Sequence, residues 1–468
     1  METLRFGYDP VVYEQPIWNT LHGHIMEQST YSYTHLAFGW DLLLFNFVLL
    51  PFYALHPATV TLLFLQTFVT ALGAVAVYVI ARDRLPQQRF VALLVAVLYL
   101  SYLPLQGVNL YEVSPRLFAT TFFLFAFWCM TRGYAVAFWV LIILAIINRS
   151  DAALVVAMLG VYGVTTRQRF ALSWLPLAIG ATYWVLAVFV IVPAFAHGAQ
   201  FSYLQNYAWL GPDAGTIAKT LVTHPVFVLR QVLAPDRWQY VLSLLFALAF
   251  LPLLQPRQLL PALPSFLVNV FAGPEFRYQR DIYHQYNAFI IPWLFIAAIF
   301  AIAALADGTH PLLRFVLRLR KAAHTSPHRR IATGFVLLML LLSAIQQAYT
   351  QPNRTQLFLL QREDKGRIAA LNRLMPFIPP DAPLAVTNVA ATRVPMRRYL
   401  YYFPGDRYYD PRNIDLAIYL LGDRSRDSGQ EGQELDALEA NGQWELLRRS
   451  GDFELLHRVA PAPAREGR

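Results

Sequence analysis

The side chains best suited to chemistry gather near the start of the chain. Between Tyr8 and His35 stand the carboxylates Asp9 and Glu14, the amides Gln15 and Asn19, the aromatic Trp18, then Thr20, Gly23 and His35 itself. Such a set suits a sugar. Aromatic rings cover the C–H face of a pyranose, while carboxylates and amides take its hydroxyls. One carboxylate could serve as general base for an acceptor hydroxyl or amine. The same residues also make an ordinary interfacial loop, with Trp and Tyr anchored at headgroup depth. Composition alone favours the interfacial loop.

Three further groups carry charge next to apolar sequence. Tyr111 and Glu112 precede Ser114, Pro115 and Arg116; Asn148, Arg149, Ser150 and Asp151 stand between two short apolar runs. The last group is Arg277, Arg280, Asp281, Tyr283, His284, Gln285 and Tyr286. An arginine between two short apolar helices rarely faces lipid; it pairs with a carboxylate or an anionic ligand. Arg149 therefore reads either as a phosphate ligand or as a structural partner of Asp151. Arg280 and His284 could hold a lipid phosphate, or serve as interfacial anchors binding bulk lipid. No GxxxxGK[ST] loop, HExxH helix or GxSxG elbow occurs. Cys129 is the single cysteine, so an intrachain disulfide and a cysteine-rich metal site are excluded.

The elements that must position these groups are membrane helices. Of 468 residues, 56% are hydrophobic and only 14% charged, against about 25% charged in a soluble domain. The deficit comes from apolar runs near 36–55, 58–81, 90–107, 117–131, 134–147, 152–165, 171–195, 240–254, 259–272, 286–306 and 331–349. A spanning helix needs roughly 20 residues. The expectation is an α-helical polytopic membrane protein with about ten transmembrane helices, the short runs 117–131 and 134–147 being tilted or half-inserted. The net charge of +9 would suggest nucleic acid in a soluble protein. Here many of the cations sit in short loops between runs, where they orient the chain instead.

Arg82, Arg84 and Arg89 flank one connection, Arg167 and Arg169 another, and Arg314 to Arg330 a third. One crossing per run from 58–81 onward puts all three on one side, the cytoplasmic side by the positive-inside rule. Residues 1–57 then form an outer loop, with 36–55 resting at the interface; Asp41 suits that better than a lipid-exposed span. Residues 58–350 form the transmembrane domain. A first helix preceding the chain is expected, since nothing else would carry residues 1–57 across. The tail, 351–468, reads as a small extracytoplasmic α/β domain, with strands at Pro383–Asn388 and Ile414–Leu421 and a hairpin over Trp444–Ser450 and Phe453–Val459.

The segments "YDPVVYEQPIWNTLHG", "YTHLAFGWDLLLFNFVLLPFYAL" and "TLLFLQTFVTALGAVAVYVIAR", in that order, resemble a bacterial family of predicted membrane proteins. It is known as domain of unknown function two thousand and seventy-nine. Asp9, Glu14-Gln15, Trp18-Asn19-Thr20, Gly23, His35 and Pro51 fit its N-terminal pattern. Further on, "YHQYNAFIIPWLF" and "IPPDAPLAVTN" resemble its later segments. That family is similar to the GT-C glycosyltransferases, relatives of protein mannosyltransferases and aminoarabinose transferases. The resemblance implies a GT-C-like fold, a donor sugar on a polyprenyl phosphate or diphosphate, and a catalytic Asp in the first outer loop. Asp9 is then the candidate base and Glu14 the second. Glu112, Arg149, Asp151, Arg280, His284 and Tyr286 join Trp18, Asn19 and His35 as candidate substrate-binding residues. Two departures are clear: Glu112-Val113-Ser114-Pro115 stands where a Phe-His-Pro-like element is expected, and Arg149-Ser150-Asp151 where Lys-Glu-Asp is expected.

The leading expectation is a sugar transferase of the bacterial cytoplasmic membrane, working at its outer face on an envelope acceptor. Its partners are membrane lipid and the lipid-linked sugar, with no nucleic acid. A transporter or lipid flippase is the alternative from another class; it usually shows paired repeats and midplane helix breaks, and no repeat is visible. A non-catalytic membrane scaffold comes third. The residues supply no metal ligand set and leave the cofactor open, since GT-C relatives differ in using a divalent ion.

Overall fold

The apolar runs become helices wherever proline permits. A computed structural model describes residues 8–31, 33–197, 202–309, 328–350, 365–404, 417–425 and 430–459. In chain order its helices begin with α1 (Asp9–Leu21), α2 (Asn46–Leu55), α3 (Thr59–Arg84), α4 (Arg89–Ser101), α5 (Leu103–Tyr111), α6 (Arg116–Arg132), α7 (Ala135–Ile146) and α8 (Ala152–Thr165). They continue with α9 (Trp174–Phe195), α10 (Ala214–Thr223), α11 (Pro225–Val232), α12 (Pro235–Leu245), α13 (Leu263–Phe271), α14 (Ile291–Ala306), α15 (His328–Thr350) and, in the tail, α16 (Gln430–Ala440). Among the described residues, α3, α9 and α15 are long and apolar enough to cross a membrane. The bent pair α4–α5, broken by 41° at Tyr102, adds a fourth crossing if it counts as one span. The break has a local cause: Pro104 cannot donate to the preceding turn, so it sits in the first turn of a new helix.

Other runs depart from simple spans. The run 36–55 yields a 3-10 turn at Ala37–Gly39 and the ten-residue α2, about 15 Å long and half a bilayer core. The run 240–254 and the first part of 259–272 break into 3-10 turns at Phe246–Leu248, Leu251–Leu254 and Pro256–Ala262. Pro252, Pro256 and Pro261 remove backbone donors there, and Ala249 and Phe250 turn the chain at φ of 49° and 57°. Helix α9 carries a π-helical stretch over Ala187–Ile191.

The chain divides into two units. One comprises residues 65–188 and 203–351. Its centre is α14, buried on nearly every side and apolar all round, the pattern of a helix with no polar face. Helices α6 and α15 pack against it. The α8–α9 contact rests on small residues: a Cβ added at Gly160 would lie 2.4 Å from the Leu177 backbone nitrogen, and one at Gly180 would lie 2.5 Å from the Ala153 carbonyl. Close backbone approach of this kind is how membrane helices gain contact without a hydrophobic driving force.

The other unit comprises residues 1–64, 189–202 and 352–468. It holds a five-stranded mixed sheet in the order β2-β1-β3-β5-β4, with β1 at Leu384–Thr387, β2 at Leu400–Phe403, β3 at Tyr419–Asp423, β4 at Trp444–Ser450 and β5 at Phe453–Arg458. β1 pairs in parallel with β2 and β3; β5 runs antiparallel to β3 and β4. Tyr401, Phe403, Leu420, Leu435, Trp444 and Leu456 form the core of this sheet. The N-terminal segment binds its β2 edge. The Tyr8 hydroxyl donates to the Leu400 carbonyl at 2.6 Å, and the Leu400 N–H donates to Ser29 Oγ at 2.9 Å. An edge strand left open would recruit other chains; residues 8–29 close this one.

Candidate functional site

In the unit that carries the sheet, α1 positions the N-terminal candidates. Pro10 fixes φ in its first turn. Asp9, half-buried, stands where the backbone N–H groups and the helix dipole favour an anion. Glu14 is buried. Its Oε1 accepts from the Tyr53 hydroxyl at 2.7 Å and its Oε2 from the Thr59 hydroxyl at 2.5 Å. Burial raises its pKa above the ordinary carboxylate value, and the two hydroxyl donors offset only part of that.

Gln15, next in sequence, is wholly structural. Its Nε2 donates to Ser29 Oγ at 2.9 Å and the Arg398 carbonyl at 3.0 Å, while its Oε1 accepts from the Ser29 N–H. Asn19 is buried, and its Nδ2 donates to the Glu27 carbonyl at 2.8 Å. Trp18 is half-buried and stacks on His22, ring centroids 3.8 Å apart. His35 is exposed, and its carbonyl accepts from the Gln28 N–H.

In the helical unit, the start of α6 and the α7–α8 connection meet. Arg116 donates twice to Asp151 Oδ2, from Nε at 3.2 Å and Nη2 at 2.7 Å. Arg149, 1% exposed, donates from Nε to Asp151 Oδ1 at 3.3 Å and from Nη2 to the Tyr203 hydroxyl at 3.3 Å. Tyr286 lies under the Arg116 guanidinium, 5.1 Å from centroid to Cζ. Two guanidiniums thus share one carboxylate. Burial opposes ionisation of Asp151, but the charges of Arg116 and Arg149 outweigh it and hold its pKa below the ordinary value. Beside them the Asn148 amide is fully buried with neither its oxygen nor its nitrogen bonded among the described residues. Buried amides are normally satisfied, so this is polar capacity held in reserve. A cavity of about 30 Å³ opens beside Arg116 and Asp151, with Ser265, Asn269, Tyr286 and Phe289 in its wall.

The remaining candidates are more occupied. Arg280 is buried and donates to Asp236 Oδ2 at 2.9 Å and to the carbonyls of Ala272 and Gly273 at 2.5 and 3.4 Å. His284 lies 3.3 Å from Asp281 and against the Tyr111 ring. Glu112 is buried, and its carbonyl accepts from Gln66 Nε2 at 3.1 Å. Arg116, the strongest partner of Asp151, was visible in sequence only as part of a charged loop 35 residues away. Tyr53 and Thr59, the partners of Glu14, lay in apolar sequence without a signal. Among the described residues no three His, Cys, Asp or Glu side chains group as a metal site would require.

A mostly helical membrane fold with a mixed sheet at its C-terminal end has a counterpart among solved structures. The crystal structure of ArnT from Cupriavidus metallidurans in the apo state is similar over 98% of this chain and 95% of that one, with a TM-score of 0.50 and 16% identity. The chain belongs to the family described as predicted membrane protein (DUF2079), whose model matches residues 2–455. No curated protein sequence matches it.

Proposed function

We propose that the chain is a membrane glycosyltransferase of the GT-C type, which moves a sugar from a polyprenyl-phosphate-type donor to an envelope acceptor. The observation that carries this reading is the ArnT-like fold across 98% of the chain. In this reading the bundle crosses a bacterial cytoplasmic membrane about ten times, the basic loops stay cytoplasmic, and the C-terminal tail is extracytoplasmic. The acceptor gives its proton to Asp9 as its oxygen or nitrogen attacks the anomeric carbon. The C1–O bond to phosphate breaks, the electron pair leaves with the lipid phosphate, and the configuration inverts. Asp9 takes this role ahead of Glu14. Both Glu14 oxygens already accept hydroxyl donors, from Tyr53 and Thr59, which leaves it poorly placed to receive the acceptor's proton.

The guanidiniums of Arg116 and Arg149, with the unbonded amide of Asn148, suit the departing phosphate. Trp18 offers a ring face to the sugar, whereas Arg280 and Asn19 hold the protein together. A strain lacking the gene tests the reading, complemented with the native chain, Asp9→Asn or Arg149→Ala, with envelope glycans profiled by mass spectrometry. The expected result is a sugar lost from the knockout and restored by the native chain alone. Restoration by both variants at native protein levels would sink the catalytic assignment and favour a transporter or scaffold.

A further inference from the structure

The C-terminal ends of α3 and α6 form a second polar pocket, whose residues are not among the candidate site residues described above. It has a volume of about 250 Å³, and its wall includes Ile80, Asp83, Arg84, Phe127, Thr131 and Arg132. That is below the roughly 300 Å³ at which pockets for whole drug-sized ligands begin, so it fits a headgroup better than a sugar with its carrier.

Its charges are unevenly spent. Asp83 accepts from Arg132 Nε at 2.8 Å and from Trp128 Nε1 at 2.9 Å, and its other oxygen takes Arg132 Nη2. Arg132 neutralises that carboxylate, leaving Arg84 in surplus. The Arg84 guanidinium lies 4.0 Å from the centre of the Phe300 ring and, among the described residues, donates to no carbonyl and pairs with no carboxylate. Arginines at helix ends commonly cap the last carbonyls; this one does not, so its five N–H donors stay available. More positive charge stands close by. Tyr162 packs on the pocket-lining Phe127 at 5.4 Å, and Arg257 is held to Thr165 at the end of the same helix α8. Along α3, Phe68, Leu72 and Val75 are exposed and apolar, as on a lipid-facing span, so acyl chains would lie along the helix whose end holds the pocket.

We propose that this pocket binds the phosphate headgroup of an anionic membrane lipid, with Arg84 as its principal ligand and Arg132 beside it. Basic pockets between membrane helices take such headgroups by the same chemistry, a guanidinium fork on phosphate oxygens. The assignment is independent of the transferase reading and needs no activity to test. The purified chain, stripped of lipid in detergent, would be titrated with phosphatidylglycerol, phosphatidylcholine or inorganic phosphate and followed by native mass spectrometry and thermal unfolding. Phosphatidylglycerol should be retained in preference to phosphatidylcholine. Arg84→Gln should weaken that retention about tenfold, the loss of one charged hydrogen-bonding group, while Arg89→Gln should not. If Arg84→Gln misfolds, judged by its unfolding midpoint in phosphatidylcholine, Arg132→Gln serves as the second variant with the same expectation. Unchanged retention in the Arg variants, an equal loss in Arg89→Gln, or stabilisation by inorganic phosphate equal to that by lipid would each overturn the proposal.

Discussion

Replacing Asp151 by Asn probes the feature that most distinguishes the helical unit, one carboxylate shared by two guanidiniums. In the native chain Asp151 lies 2.7 Å from Arg116 Nη2 and 3.3 Å from Arg149 Nε, with the arginine side chains 7% and 2% exposed and its own 34% exposed. Removing the carboxylate takes a charged partner from two buried guanidiniums at once. Breaking a buried pair costs about 3–5 kcal/mol, and the part-exposed carboxylate puts this case near the lower end. Removing Arg116 instead leaves the Arg149–Asp151 pair intact, so Arg116→Gln should cost only about 1.5 kcal/mol, the lower end for a charged hydrogen bond.

Midpoints of thermal unfolding, read by tryptophan fluorescence in one detergent at one scan rate, should fall about 3 °C or more for Asp151→Asn and about half that for Arg116→Gln. The double variant Asp151→Asn/Arg149→Gln should lose less than the two single losses added, with a coupling of about 1–3 kcal/mol. The acid limb gives a second check. The Asp151 pKa is lowered, so its contribution is complete above its ordinary value of 3.8 and disappears as pH falls through the folded value beneath it. Asp151→Asn should lack that limb. An Asp151→Asn chain more stable than Arg116→Gln, or a double variant with strictly additive losses, would refute the shared-carboxylate account.

In the sheet unit, burial and then the charge of Asp423 raise Glu431 to about 7 from 4.5. Stability from its neutral form is present below 4.5 and lost as pH rises through about 7. Glu431→Gln should therefore gain about 1 kcal/mol at pH 8, after allowance for solvent screening, and nothing at pH 4.5, measured by unfolding midpoints at the two pH values. Gln15→Ala strips the partner of Ser29 and of the Arg398 carbonyl. It should cost about 2 kcal/mol and speed hydrogen exchange at the Leu400 amide, which Ser29 holds; unchanged exchange there would contradict the role assigned to Gln15. Gly160→Val forces a side chain into the Leu177 backbone and should lower the midpoint by several degrees or prevent folding, as overpacking costs about 1–3 kcal/mol or more. Gly334→Ala in α15 meets open space and should be neutral or stabilising by about 0.5–1 kcal/mol.

These predictions divide along the line between what local sequence encodes and what it does not. The hairpin over 444–459 was legible because two short runs flank a Gly-containing turn at Gly451, whose φ of 59° suits it. β1 was legible for a similar reason, and α3, α8 and α15 follow their apolar runs almost residue for residue. β2 was not: Leu400–Phe403 is a short aromatic run after two arginines, and only its parallel pairing with β1 makes it a strand. Runs 240–254 and 259–272 misled because hydropathy counts side chains and ignores the missing N–H groups of Pro252, Pro256 and Pro261. The deeper gap concerns partners. Gln15 sat in the N-terminal pattern like a sugar ligand, yet it is spent on a carbonyl 383 residues away. A contact between Arg149 and Asp151 was one of two legible readings, and Arg116 was legible only as a charge in a separate loop. That the two arginines share one carboxylate follows only from the meeting of the α6 start with the α7–α8 connection, which no periodicity in either segment announces.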